Sequence, residues 1–348
     1  MSRIAASGAI AFSCFALLFS GCGSSEIPPS ASADSSALDS AQFWSDHIVA
    51  NPSDPEGYVG RAAWHLRQGR ITEGLQDLNL ALEADSTYAP AWSAKADALY
   101  LTQAFEPCIA HLDACLEVSP SYIPCLLRRA EMHIHLGQFP EAFGRINDAL
   151  RQDPFNHEAY WMKGVLYREQ GNNVNARSSF QTAVEVNPNF FDGFIALGLA
   201  CAADNDTLAI GYYTTAMELR PNSVEAKYNL AYFLQEHQPT NSRYLNRALA
   251  LYKDIQRIDP TNAAAPFNRG YIQLEHFQAY ALADDEFTQA IEALPHYHQA
   301  FFNRGLCHES LDELDQAELD YREALEIKPD YTAAALALGR VLRSQQEP

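Results

Sequence analysis

Prolines recur along the chain at Pro120, Pro154, Pro188, Pro221, Pro260, Pro295 and Pro329, at intervals of 34, 34, 33, 39, 35 and 34 residues. Pro52 begins the series, and Ser86 stands where the next proline would fall. Ahead of these prolines lie helical segments such as AVEVNP, AMELRP, AIEALP and ALEIKP. Proline ends a helix because its ring clashes with the preceding turn and it has no N–H to donate. A chain punctuated at this period builds one short supersecondary unit repeatedly. A single unit cannot bury its apolar face alone, so neighbours must stack.

Small residues keep fixed places within the period. Counting from Pro55, the eighth residues are Ala62, Ala96, Ala130, Gly164, Gly198, Ala231, Gly270 and Gly305. The twenty-seventh are Ala81, Cys115, Ala149, Ala183, Ala216, Ile255, Ala290 and Ala324, with Ile255 the one departure. Large residues at the twenty-fourth place include Phe180, Tyr252, Phe287 and Tyr321. Small side chains are needed where two helices approach closely, and large ones fill the gap beside them. Gly69, Gly137 and Gly171 fit the ends of first helices.

This pattern resembles the tetratricopeptide repeat, a helix–turn–helix unit. The resemblance implies an all-α, right-handed superhelical solenoid with eight units over 55–331. A degenerate leading helix would occupy 40–54 and a capping helix 332–348. The 39-residue interval carries HQPTNSR at 237–243 and is expected to lengthen the turn between helices. The 33-residue interval is expected to shorten the turn AADND at 202–206.

The N-terminus reads as a targeting segment. Arg3 gives a positive start, Ile10–Phe19 an apolar stretch, and Ser20-Gly21-Cys22 a small-small-cysteine step. This resembles the lipobox of bacterial lipoproteins, with Phe19 where leucine is usual. The resemblance implies that a signal peptide, 1–21, is removed and that Cys22 is lipidated. The protein would then be held in the bacterial cell envelope, at the outer membrane or another periplasm-facing membrane. Residues 22–39, rich in Ser, Ala and Pro, read as a flexible tether.

The chain carries 24 basic and 44 acidic residues, a formal net charge of −20. That balance argues against nucleic acid, which needs a basic footprint to displace counterions. It equally argues against adhesion to anionic lipid through a basic patch. No glycine-rich phosphate loop, nucleophile elbow or zinc-helix motif is present in the sequence. His133 and His135, at i,i+2, point to different sides of a helix. Asp284–Asp285 and Asp312–Glu313 read as solvated. No catalytic residue, metal, cofactor or small-molecule substrate is therefore expected. Beyond Cys22 there are Cys108, Cys115, Cys125, Cys201 and Cys307. Cys108 and Cys115 lie two helical turns apart, about 10 Å, too far for a bridge. Free buried thiols fit the set best, with a bridge from Cys125 to a neighbouring unit left open.

In tetratricopeptide arrays the first helices line a concave groove. The resemblance places the fifth, sixth and ninth residues of each unit there, and three units share a pattern. Tyr228, Phe267 and Phe302 are each followed by Asn229, Asn268 and Asn303, while Tyr232 and Tyr271 take ninth places. Trp161 adds a ring at a fifth place. Amides in a row can donate to and accept from an extended peptide backbone, and flanking rings add apolar area at low entropy cost. This resembles the asparagine ladder of tetratricopeptide and armadillo peptide receptors. Glu158, Glu169, Asp192, Glu225, Glu236, Glu275 and Glu309 form an acidic rim, so a neutral or basic extended segment of a protein partner is expected. The expected role is a membrane-anchored adaptor or assembly factor. The alternative is a structural or pilot component of a pilus or secretin machine, acting through its convex face.

Overall fold

The computed structural model describes residues 41–237 and 239–346. The expected signal peptide, Cys22 and tether lie outside them. The described residues hold eighteen α-helices, one π-helical turn and no strand, so the fold is all-α, as expected. A leading helix, Ala41–Ala50, precedes eight helix pairs. Repeats one to four are Pro55–Arg67 with Ile71–Ala84, Ala89–Leu101 with Phe105–Val118, Ile123–His135 with Phe139–Gln152, and His157–Glu169 with Asn173–Val186. Repeats five to eight are Phe191–Ala203 with Leu208–Leu219, Val224–His237 with Ser242–Ile258, Ala264–Ile272 with Tyr280–Ala293, and His298–Ser310 with Leu314–Ile327. A last helix spans Thr332–Ser344. The described residues divide into two compact units, up to Gly193 and from Phe194 onward.

Two ties join the helices of a repeat. The aromatic twenty-fourth residue lies on the bare eighth position. A Cβ on Gly270 would stand 2.9 Å from the Phe287 ring, and one on Gly305 2.6 Å from the Tyr321 ring. Both rings are fully buried, and burying each contributes about 2–3 kcal/mol. The second tie is ionic. Arg61 reaches Asp77 at 2.6 Å and Arg304 reaches Asp320 at 2.7 Å, each pair sixteen residues apart. Arg269 reaches Glu286, seventeen residues on, at 2.5 Å. Arg269 and Arg304 thus each hold their own repeat together.

The turn between helices is set by one residue in the left-handed region. Gly69, Gln103, Gly137, Gly171 and Asn205 follow at 34-residue spacing, and Gln278 and Asp312 repeat it. Gln138 N–H then returns to His133 O at 2.8 Å, and Glu313 N–H to His308 O at 2.8 Å. These bonds satisfy carbonyls that the helix end would otherwise leave orphaned.

Length changes fall mainly in helices. The 35-residue interval is absorbed by a π-helical turn at Gln273–Phe277, the usual outcome of one residue added inside an α-helix. The extra residue explains why Arg269 pairs at seventeen and why Ala279 N–H bonds Gln273 O, six residues back. The 39-residue interval does not simply lengthen a turn, contrary to expectation. Against the usual 13 and 14, its helices have 14 and 17 residues, and its connection, 238–241, gains only one residue. In the 33-residue interval the second helix is two residues short, at 12, while the connection that carries Asn205, 204–207, is one residue longer than usual. Reversing the chain needs that turn whole, whereas a helix can lose part of a turn at its end.

Two side-chain expectations are corrected. Cys115 and Cys125 form a disulfide, joining the second helix of repeat two to the first helix of repeat three, with Cα atoms 6.5 Å apart. Cys108, Cys201 and Cys307 are free and buried. Asp284 is half-buried and paired rather than simply solvated. It faces His308 Nε2 at 3.4 Å, which also lies 3.5 Å from Asp320, while His308 Nδ1 meets Glu313 at 2.8 Å. Burial pushes the Asp284 carboxyl above its ordinary value.

Candidate functional site

In the unit from Phe194 onward, the first helices of repeats six and seven assemble one aromatic cluster. Tyr228 and Tyr232 share a helix face at i,i+4, and their rings stack with centroids 6.1 Å apart and planes 5° from parallel. The Asn268 amide donates to the Tyr228 hydroxyl at 3.3 Å. Tyr228, Asn229, Tyr232 and Tyr271 are all half-buried. Burial, followed by Glu275, Glu236 and Tyr232, pushes the Tyr271 phenol up to about 12. Burial and Glu236 raise Tyr232 as well. These phenols therefore stay neutral donors at physiological pH. His276, on the π-helical turn, is held below its ordinary value by burial, against the pull of Glu236.

Four residues expected at this face are buried instead, and Asn268, 4% exposed, is one of them. Phe267 is 1% exposed and stacks on Tyr297 at 4.7 Å. Phe302 is 2% exposed and meets Tyr331 at 5.2 Å. Asn303 is fully buried, and neither amide atom has a partner. The physical reason is a ring that recurs, in most repeats, just ahead of the following helix. Tyr297 and Tyr331 occupy that place and cover the fifth-position rings. Phe190 does the same for Trp161, which is 3% exposed in the other unit, at 6.3 Å. The equivalent place after Tyr228 holds Asn262, whose side chain instead accepts from Ala265 N–H at 3.0 Å. Tyr228 is thus left without the covering ring. The substitution at 262 is visible in the sequence and is the signal that separates Tyr228 from Phe267 and Phe302.

The same register explains the orphaned amide. Asn268 reaches the hydroxyl of Tyr228, the fifth residue of the preceding repeat. The residue in that place before Asn303 is Phe267, which has no hydroxyl.

The unit before Phe194 treats its first-helix face differently. The sixth residue of repeat three is Arg128. It donates to Asp97 at 2.7 Å and to Glu131, and its guanidinium lies 5.0 Å over the Tyr100 ring. Charges that satisfy each other close this face. Among the described residues, no cluster of three or more His, Cys, Asp or Glu is arranged for a metal ion. No described helix is long and apolar enough to cross a membrane.

Paired helices locked by a small eighth residue and a large twenty-fourth define a class, the helix–turn–helix repeat proteins that present first-helix faces to partners. Tetratricopeptide-repeat models match residues 127–190 and 298–331, and those residues form tetratricopeptide repeats. It is similar to DnaJ homolog subfamily C member 7 of Mus musculus, 24% identical over 285 residues, which are 77% of this chain and 52% of that protein. It is also similar to Hsp70-Hsp90 organizing protein 2 of Arabidopsis thaliana, 28% identical over 83 residues, or 24% of this chain and 14% of that protein. The chain thus spans about half the length of the first relative, or 52%. Among solved structures, the APC/C hetero-tetramer Cut9-Hcn1 aligns with a TM-score of 0.52 and 15% identity, over 87% of this chain and 58% of that one. The pilF protein of Pseudomonas aeruginosa aligns with a TM-score of 0.51 and 14% identity, over 60% and 93%. At these identities the likeness shows the fold.

Proposed function

We propose that the protein is a lipid-anchored adaptor of a bacterial cell envelope that captures an extended, neutral or basic segment of a partner protein. The segment lies against Tyr228, Tyr232 and Tyr271, with buried Asn268 positioning the Tyr228 hydroxyl. One observation carries the reading: stacked, half-buried Tyr228 and Tyr232 are left uncovered where other repeats seal the equivalent ring. Tyrosines combine a rigid apolar body with a donor and suit binding faces for that reason. Glu236 and Glu275 beside them favour a cationic or neutral segment. The Cys115–Cys125 bridge fits an oxidising compartment such as the periplasm, and Cys22 supplies the anchor the sequence implies.

Photo-crosslinking from positions 232 and 271 in the native organism tests the face. The reading requires one partner crosslinked at both positions and lost in a Tyr228→Ala/Tyr232→Ala variant of unchanged helicity. Equal recovery of that partner from the variant rejects it. Cys22→Ser should release the protein from membranes; retention without an acyl label rejects the anchor.

A further inference from the structure

The shortest and the longest repeats sit side by side, and together they build a concavity on their second helices. The second helix of repeat five has 12 residues and that of repeat six has 17. Both end three residues after the twenty-seventh position, at Leu219 and Ile258, so the difference lies at their starts. Five residues of α-helix amount to about 7.5 Å. The longer helix therefore overhangs the shorter, leaving an open concavity of about 510 Å³ lined by Ile210, Arg243, Tyr244 and Arg247. Arg243, Tyr244 and Arg247 all lie in the first two turns of the lengthened helix, and Ile210 lies in the first turn of the shortened one.

The arginines are unusual for this chain. Elsewhere Arg61, Arg128, Arg269, Arg304 and Arg340 each hold a carboxylate. Arg247 instead donates to the neutral Thr214 hydroxyl at 3.0 Å, and that hydroxyl donates onward to Ile210 O at 2.6 Å. This uses one of the five N–H donors of the guanidinium and fixes its direction. The Arg243 side chain is exposed and makes no hydrogen bond or ion pair among the described residues; only its backbone N–H is used, donating to Asn241 Oδ1 at 3.1 Å. Two guanidinium forks at one concavity match a carboxylate in geometry as well as charge. Tyr244 brings a phenol, and Ile210 offers apolar surface to the methylenes that carry the acid.

We propose that this ledge seats the carboxylates of an acidic segment of a partner protein, at a site separate from the tyrosine face. Charge complementarity selects the occupant. With a net charge of −20, most of the surface repels acidic chains, and screening over about 8–10 Å lets a local pair of arginines act alone. The overhang decides where the segment enters, because it leaves the start of the shorter helix uncovered. The inference does not depend on the tyrosine face, and its test does not use that face.

The test is calorimetric titration of the purified full chain, carrying Cys22→Ser for solubility, with an acetylated hexaglutamate peptide at low salt. The expected result is saturable binding that weakens at least tenfold in Arg243→Glu/Arg247→Glu and weakens as salt rises. Arg243→Glu alone guards against a folding artefact, since that side chain has no partner to lose, and it should weaken binding several-fold. Unchanged affinity in both variants overturns the site. Two further arms use inorganic phosphate and vesicles of phosphatidylglycerol with phosphatidylcholine. Arginine-dependent binding of either, without binding of hexaglutamate, overturns the assignment to an acidic protein segment.

Discussion

The two units place different chemistry at the same register. Before Phe194, the sixth position of repeat three holds Arg128, held by Asp97 and Glu131, and a disulfide staples repeat two to repeat three. After it, the sixth positions of repeats seven and eight hold amides, one bonded to a tyrosine and one to nothing. Closure by charge leaves few donors or acceptors for a guest. Closure by amides and phenols leaves capacity, and where one covering ring is absent that capacity reaches the surface. One repeat pattern can therefore serve as a rigid strut in one unit and a binding face in the next.

The sharpest way to break this contrast is Arg128→Met. It strands two carboxylates, Glu131 buried and Asp97 part-exposed, and should cost about 3–5 kcal/mol, read as a lower urea midpoint. A loss under 1 kcal/mol would show that the ion network is not what closes this unit. Cys115→Ser/Cys125→Ser comes next, expected to cost about 2–3 kcal/mol for its short loop. Reductant should destabilise the parent by a similar amount and leave the double variant unaffected. Asn303→Leu should act in the opposite direction, because it removes a buried amide that pairs with nothing; a gain of about 1–2 kcal/mol is expected. Phe267→Tyr should also raise the melting temperature by giving that amide a hydroxyl. A drop in both would mean that the amide is satisfied in solution.

The smallest effect concerns Asp54, the N-cap of repeat one. His47 and the Glu56 N–H hold its carboxyl below the ordinary carboxylate value. A folded value below the unfolded one gives stability that is present above about pH 4 and is lost as pH falls through the folded value. Asp54→Ala should cost about 1 kcal/mol near neutrality and flatten the acid limb of the stability profile. An unchanged acid limb would remove Asp54 from the account.

Most of the architecture was legible because it rests on spacing. Proline, small eighth residues and large twenty-fourth residues mark helix ends and helix contacts, and the observed pairs begin and end close to where those marks place them. The pairing of Arg61 with Asp77 and of Arg304 with Asp320 was not read from the sequence, although both run from a seventh position to a residue sixteen further on. What the spacing could not supply was radial direction. Phe267, Phe302 and Tyr228 share a position, yet two are sealed by Tyr297 and Tyr331 and the third is not, because residue 262 is Asn. Reading exposure from position alone treated them as equal. The cysteine bridge escaped for a related reason: Cys115 and Cys125 meet across a boundary between repeats, and only packed helices fix that distance. The lengthened interval was read as loop because added residues in a solenoid usually lie on loops, whereas SRYLNRALA continues a helix readily.

The left-handed turn residues carry one more consequence. From Gln103, Gly137, Gly171, Gln278 and Asp312 the proline that closes the repeat lies seventeen residues on each time, so the trailing half of these repeats is a module of fixed length. The leading half varies, and its π-helical turn shows how one surplus residue is accommodated. These residues are therefore natural joints for recombination. A chimaera cut there exchanges whole trailing helices between repeats; those after Gln278 and Asp312 bring an aromatic plug, Phe287 or Tyr321, and the acidic partner of a seventh-position arginine, Glu286 or Asp320. Length variation in the leading half stays on the other side of the cut.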